Sequence, residues 1–299
     1  MKTALDCLPC LLRQALDAAR RMSTDAALHE QVLRGALQTA AGMDWGKPPP
    51  VLAQAIHRQL RQMSGARDPY RADKHRQTKM ARALLPELEK QVTDAADPLI
   101  TAARLAIAGN VIDLGAKPGL TADEVRQALH TALSAPFHGD EDGFRRAVSE
   151  ARRILYLADN AGEIVFDGLL IAQLPRDRVT LAVRGAPILN DATLEDARAA
   201  GLGEMALLVD NGSDAPGTLL DECGPVFREA YRQADLVIAK GQGNFESLSG
   251  EGGTIFFLFS VKCPVIADHS GHPQGTQVLL RSSAETAAVI DPAIPGGAP

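Results

Sequence analysis

The stretch that decides the fold is residues 153–174, "RILYLADNAGEIVFDGLLIAQL". It opens as a run that is apolar at nearly every position, the pattern of a strand covered on both faces. Asp159 and Asn160 then interrupt it, Gly162 and Glu163 follow, and the remainder has the spacing of an amphipathic helix. The same unit recurs downstream. "VTLAVR" (179–184), "MALLVD" (205–210), "DLVIAK" (235–240), "TIFFLF" (254–259) and "PVIA" (264–267) read as further buried strands. Helical patterns such as "TLEDARAAG" and "TLLDECGPVFREAYRQA" separate several of them. This alternation predicts an α/β fold with a doubly wound, mostly parallel sheet.

Upstream the texture differs. "LLRQALDAARRM", "LHEQVLRGALQTAAGM", "PVLAQAIHRQLRQM", "QTKMARALLPELEKQV" and "LITAARLAIAGNVIDLG" place apolar residues three and four apart, and no strand-like run interrupts them. Residues 1–147 are therefore expected to form an all-helical domain and 148–283 the α/β domain, with a loose Pro/Gly/Ala-rich tail over 284–299. The "HGDEDG" cluster (138–143) lacks the spaced oxygen ligands of a calcium loop and reads as a solvated acidic linker.

A chain of 299 residues has the length of about two domains. Its net charge of -6 argues against wrapping nucleic acid or lying on an anionic membrane, since both call for a basic face. No apolar run approaches the ~20 residues that span a bilayer. The start, "MKTALDCLPCLL", lacks a secretory signal, and four cysteines do not make a secreted disulfide framework. Cytoplasmic residence is the expectation, and the residues carry no signal for an oligomeric state.

Ligands of an open parallel sheet bind beyond the carboxyl ends of its strands. The polar residues there are Asp159, Asn160 and Glu163 after the first strand, and Arg184, Asn190 and Asp191 after the second. "DNGSDAPGT" (210–218) follows the third strand, and Lys240 with "GQGNFES" (241–247) follows the fourth. Each loop alone has a structural explanation in helix capping and turns, but four along one rim favour a site. Asp159, Asn160 and Asp191 form an all-oxygen donor group suited to a hard divalent ion such as Mg²⁺ or Mn²⁺. Ser213, Thr218, Lys240 and the backbone N–H groups around Gly241, Gly243 and Asn244 are the usual means of holding an anion. Cation and anion cradle together imply phosphoryl chemistry.

The Cys7-x-x-Cys10 pair lies where a helix starts, with Pro9 in a tolerated first-turn position. No second Cys/His pair completes a zinc site, so packing, a redox or metal role, and approach to the active site all stay open. "HSGH" (269–272) reads as turn structure or pocket rim. "DPYRADKHRQTKMA" (68–81) reads equally as a basic segment closing over an anion and as a solvated helix face capped by Asp68.

The joint set "LADNAGEIVFD", "RGAPILNDAT", "NGSDAPGT" and "AKGQGNFESL", with "CLPC", "DPYRADKHRQTKMA" and "AIAGNVIDLG" before it, closely resembles the damage-control phosphatases. That family was long classed as a domain of unknown function and includes an acidic-residue methyltransferase-like protein. The likeness runs from about residue 5 to residue 282, and the C-x-x-C marks its archaeal and bacterial subgroup. The resemblance implies a metal-dependent phosphatase with a helical domain packed on a Rossmann-like one. It implies Asp159, Asn160 and Asp191 as ligands of one divalent ion, with Mn²⁺, Co²⁺ or Ni²⁺ favoured over Mg²⁺. It further implies Lys240 on the phosphate, Glu163 on substrate or water, and Asn110 and Asp113 as pocket residues. The substrate is expected to be a small phosphorylated metabolite, such as a sugar phosphate or a damaged intermediate.

The expected mechanism is attack by a metal-activated water, with Lys240 and the glycine-loop amides stabilising the phosphoryl oxygens and Glu163 orienting the water or taking its proton. A phosphoaspartyl route of the haloacid-dehalogenase type needs a second Asp where Ala161 stands. An S-adenosylmethionine-dependent carboxyl methyltransferase is the main alternative, although the glycine-rich turn expected of one is absent. A metal-sensing or interaction protein leaves the phosphate cradle without a use.

Overall fold

The computed structural model describes residues 1–65, 67–110 and 122–282. Asp113 and the expected tail at 284–299 lie outside them.

Three helices come first: α1 (Cys7–Met22), α2 (Ala26–Gly42) and α3 (Pro49–Ser64). Local chemistry sets their ends. Asp25 accepts a hydrogen bond from Ala27 N at the start of α2, and prolines open α3, which Gly65 closes at φ 70°. Leu11, Ala15, Ala18, Val32, Ala36, Ile56 and Leu60 form an apolar cluster of their own between these helices. α4 (Arg71–Thr93), α5 (Pro98–Ala108) and α6 (Ala122–Leu133) follow, with Asp97 capping α5 through Ile100 N.

Next come β1 (Phe137–Gly139), α7 (Glu141–Glu150), β2 (Ile154–Leu157), α8 (Ile164–Ile171), β3 (Val179–Val183), α9 (Leu194–Ala199) and β4 (Leu207–Asp210). The chain continues through α10 (Pro225–Gln233), β5 (Leu236–Lys240), α11 (Gln242–Leu248), β6 (Ile255–Ser260), α12 (Pro264–Ser270) and β7 (Gln277–Arg281). The strands form one seven-stranded sheet in the order β1-β7-β6-β5-β2-β3-β4. The stretch β6-β5-β2-β3-β4 is parallel throughout, and β7 runs antiparallel to β6. The strand order reverses on either side of β2, so the crevice of a doubly wound sheet opens beyond the carboxyl ends of β2 and β5.

Alternate residues of each strand feed two cores. Ile154, Tyr156, Leu236, Ile238, Phe256 and Leu258 pack with α4, α5 and α8, while Leu155, Leu157, Val237, Ala239 and Phe257 pack with Phe227, Phe245 and Ile266 on the other face. Every residue of α8 is buried. This helix is enclosed by α4, α5 and the sheet, which is why its sequence is apolar nearly all round rather than amphipathic.

Two expectations need correction. The 138–143 stretch is not a linker: His138 and Gly139 end an edge strand paired with β7, and Asp140 caps α7, which runs across residue 147. "PVIA" is the first turn of α12 rather than a strand, because Pro264 occupies the first helical position behind an extended Cys263. The strand β7, "QVLLR", had no counterpart in the sequence reading.

No described helix is long and apolar enough to cross a membrane.

Candidate active site

Beyond β2 the chain keeps pairing with the loop after β3. Ala192 N donates to Asp159 O at 2.7 Å and Ala161 N to Asn190 O at 2.9 Å, and Asn160 and Asp191 form an isolated antiparallel bridge. Leu189 turns the second strip back at φ 46°, a left-handed conformation that costs a leucine about 1–2 kcal/mol. Two short polar strips thus lie side by side at the crevice. Asp159, Asn160, Asn190 and Asp191 line one wall of a cavity of about 530 Å³. Cys7, Cys10, Arg21 and Tyr70 line it from the helical half, Gly243 and Glu246 from α11, and Lys262 and Cys263 from the loop after β6.

The asparagine is oriented by its neighbours. Asn160 Nδ2 donates to Asp159 Oδ2 at 2.9 Å and to Glu163 Oε2 at 3.0 Å, leaving Oδ1 as the end available to a cation. Arg184 is buried behind the pair of aspartates. Its Nε donates to Asp191 Oδ2 at 2.7 Å, and its Nη2 stands 3.7 Å from Asp159 Oδ1 without a hydrogen bond. Arg184 therefore backs the carboxylates rather than facing a substrate. Burial, followed by the charges of Asp191 and Glu163, raises the Asp159 carboxyl well above the ordinary range.

Lys240 is not where the sequence placed it. Its side chain is fully buried on the α5/α8 face of the sheet, and it does not line the cavity. The ammonium donates to Glu163 Oε1 at 2.5 Å, Asp167 Oδ1 at 2.7 Å and Ala106 O at 2.9 Å, which uses all three protons. Burial alone would lower its pKa, but Asp167 and Glu163 together hold it above the usual lysine value. Glu163 likewise lies behind Asn160 and away from the cavity lining, with Asn110 Nδ2 donating to its Oε2 at 2.9 Å. Asn110 is thereby brought to the site as a buttress.

The anion cradle is also rearranged. Asn244 is fully buried, its Oδ1 accepting from Thr218 Oγ1 (2.8 Å) and Arg184 Nη1 (3.1 Å) and its Nδ2 donating to Lys240 O (2.7 Å). Ser213 Oγ accepts from Gln54 Nε2 of α3 at 3.3 Å and from Ala215 N at 3.2 Å. These two residues, with Thr218, knit loops together behind the cavity and do not face it. Gly243 reaches the cavity, and Gly241, at φ 80°, leaves space that Asp159 fills. In the 68–81 segment, Tyr70 reaches the cavity wall, while Lys74 is buried against Asp68 (3.3 Å) and Asp196 (2.7 Å).

Sequence reasoning passed over Lys262, Glu246 and Asp167. Lys262 bears on both Asp159 and Glu246, lowering each carboxyl, although burial carries Glu246 up to about 7. Its available signal was its place just after a strand on the same rim. Asp167 had a clearer one, as a lone carboxylate inside the apolar run "IVFDGLLI".

A divalent ion fits this donor set. Among the described residues the buried group holds four carboxylates, Asp159, Glu163, Asp167 and Asp191, against two cations, Arg184 and Lys240. Among the described residues no cluster of three or more His, Cys, Asp or Glu forms a cage, so a set of three protein donors here would have to include the amide oxygen of Asn160.

A family model described as the damage-control phosphatase ARMT1-like domain matches residues 3–278. The chain belongs to the damage-control phosphatase family. A damage-control phosphatase of Archaeoglobus fulgidus is 35% identical over 284 residues, covering 93% of this chain and 98% of that protein. A damage-control phosphatase of Pyrococcus horikoshii is 32% identical over 289 residues, covering 94% and 99%. The crystal structure of a DUF89 family protein from Pyrococcus horikoshii superposes with a TM-score of 0.86 at 30% identity, covering 95% of this chain and 100% of that one. The doubly wound sheet is thus the fold of a damage-control phosphatase.

Proposed function

We propose that the chain is a metal-dependent phosphomonoesterase acting on small phosphorylated metabolites, with Asp159, Asn160 and Asp191 as the residues that hold one divalent ion, whether Mn²⁺, Co²⁺, Ni²⁺ or Mg²⁺. The observation that carries this reading is the charge imbalance of the buried cluster that reaches the cavity wall through Asp159 and Asp191. Four buried carboxylates stand against two buried cations, and the high-lying Asp159 carboxyl ionises readily only if further positive charge is supplied. When bound, such an ion supplies Lewis-acid polarisation of a phosphoryl oxygen and a water acidic enough to attack near neutral pH.

The remaining work falls to the chain. Arg184 and Lys240 hold the carboxylates from behind, and Asn110, with Lys240, fixes Glu163. Lys262 brings positive charge to the cavity where a phosphate would sit, in place of the role first expected of Lys240, while Arg21 on the same cavity is paired with Asp73. A cavity of about 530 Å³ suits a metabolite of the size of a phosphorylated sugar. Residues of α1 and α3 form its helical side.

The test is a screen of sugar phosphates and nucleotides with each divalent ion, beside calorimetry with S-adenosylmethionine. Phosphate release that a chelator abolishes is expected. Methyl-donor binding together with no hydrolysis under any ion would replace this reading with the methyltransferase one.

A further inference from the structure

Resting on the metal-dependent reading above, we propose that Asp167 is a positioning residue which, acting through Lys240 and Glu163, holds the amide of Asn160 in the orientation a divalent ion requires.

The path is continuous and buried. Tyr156 Oη donates to Asp167 Oδ1 at 2.9 Å, and the same oxygen accepts from Lys240 Nζ at 2.7 Å. Lys240 has three protons and three acceptors, namely Ala106 O, Asp167 and Glu163. Two of those acceptors are set by the backbone of α5 and the core of α8, so the third proton can point only at Glu163 Oε1. Glu163 Oε2 in turn accepts from Asn160 Nδ2 at 3.0 Å, and this bond, with the one to Asp159 Oδ2, turns Asn160 Oδ1 outward. Removing the charge at position 167 weakens the hold on the ammonium, and the Glu163 carboxylate, held otherwise by Asn110, loses its fixed direction toward Asn160.

Stability does not account for Asp167. It is fully buried inside a helix that is otherwise apolar or Gly, with its Oδ2 lacking a partner among the described residues. Buried ion pairs contribute little net stability compared with apolar side chains of the same volume. Two carboxylates about one lysine instead define a direction, the role of outer groups that orient metal ligands.

The experiment compares the wild-type chain with Asp167→Asn, measuring the Mn²⁺ dissociation constant by calorimetry and folding by circular dichroism. Loss of an outer orienting group costs about 10- to 100-fold in metal affinity, so at least a tenfold weaker Mn²⁺ constant is expected. Hydrolysis should fall at low Mn²⁺ and recover at high Mn²⁺, with KM for the phosphate ester unchanged at saturating metal. A merely structural residue would not give that recovery. If Asp167→Asn does not fold, the charge-neutral double variant Lys240→Met with Asp167→Leu replaces it, with the same tenfold loss expected. A folded variant that binds Mn²⁺ as the wild type does overturns the inference and leaves the metal-dependent reading intact. A wild-type chain that binds no divalent ion overturns both.

Discussion

Gly241 lies directly against the carboxylate of Asp159, so closely that a β-carbon at position 241 would overlap Oδ2. Its φ of 80° already excludes most side chains, and the carboxylate occupies the space a side chain would take. Gly241→Ala should therefore push Asp159 out of register with Asp191. We expect at least a tenfold loss of metal-dependent turnover and a strain cost of about 1–3 kcal/mol. Gly252→Ala, where a β-carbon meets nothing within 4 Å, should leave both unchanged. Steady-state kinetics and thermal melts of the two variants check this.

Asp159→Ala should abolish hydrolysis while leaving the metal-free protein no less stable above neutral pH. The sign follows from the raised Asp159 carboxyl. A carboxyl with a higher pKa folded than unfolded loses stability as pH rises from the unfolded value through the folded one, so deleting it removes a liability of the metal-free state. Mn²⁺ at 100 times its dissociation constant should stabilise the wild type by about 2.7 kcal/mol and the variant hardly at all. Differential scanning calorimetry with and without Mn²⁺ reads both effects.

His57, on α3 but not on the cavity lining, gives a pH dependence of opposite sign. Burial, reinforced by Arg61, lowers its pKa to about 4, and its Nε2 has no hydrogen-bond partner among the described residues. Between pH 6.5 and about 4 the unfolded chain takes up a proton that the folded chain refuses. Stability from this group is complete above 6.5 and declines as pH falls, by at most about 3 kcal/mol. His57→Leu should flatten the denaturation midpoint across that window relative to wild type.

Cys7 and Cys10 line the same cavity as Asp159, together with Cys263. Burial raises the pKa of both Cys7 and Cys10, so at pH 7 they should react with a thiol reagent more slowly than free cysteine. A bound phosphate ester should slow them further. Modification of Cys10 should block turnover by bulk alone, leaving a Cys7→Ser, Cys10→Ser variant active and insensitive to the reagent. Rapid, substrate-independent labelling would count against their place on the cavity wall.

The parallel centre of the sheet was legible because β2, β3, β5 and β6 are apolar on both faces, a pattern few other elements produce. β1 was not, since its three residues are too few to show a period and two of them are exposed. "PVIA" was ambiguous for a related reason: four apolar residues fit a strand or a helical turn equally, and Pro264 was the only arbiter. At the site, the convergence of Asp159, Asn160 and Asp191 on one cavity wall followed from their place after strands. The direction of Lys240 could not. It ends β5 on the alternation that carries Leu236 and Ile238 toward α8, and its partner Asp167 is distant in sequence.

The most direct measurement is a crystal structure of the chain soaked in Mn²⁺, with data collected for anomalous scattering from manganese. The account predicts a single strong peak bounded by Asp159, Asn160 Oδ1 and Asp191 at the wall of the cavity. A peak elsewhere, or none with those three side chains drawn apart, would contradict it.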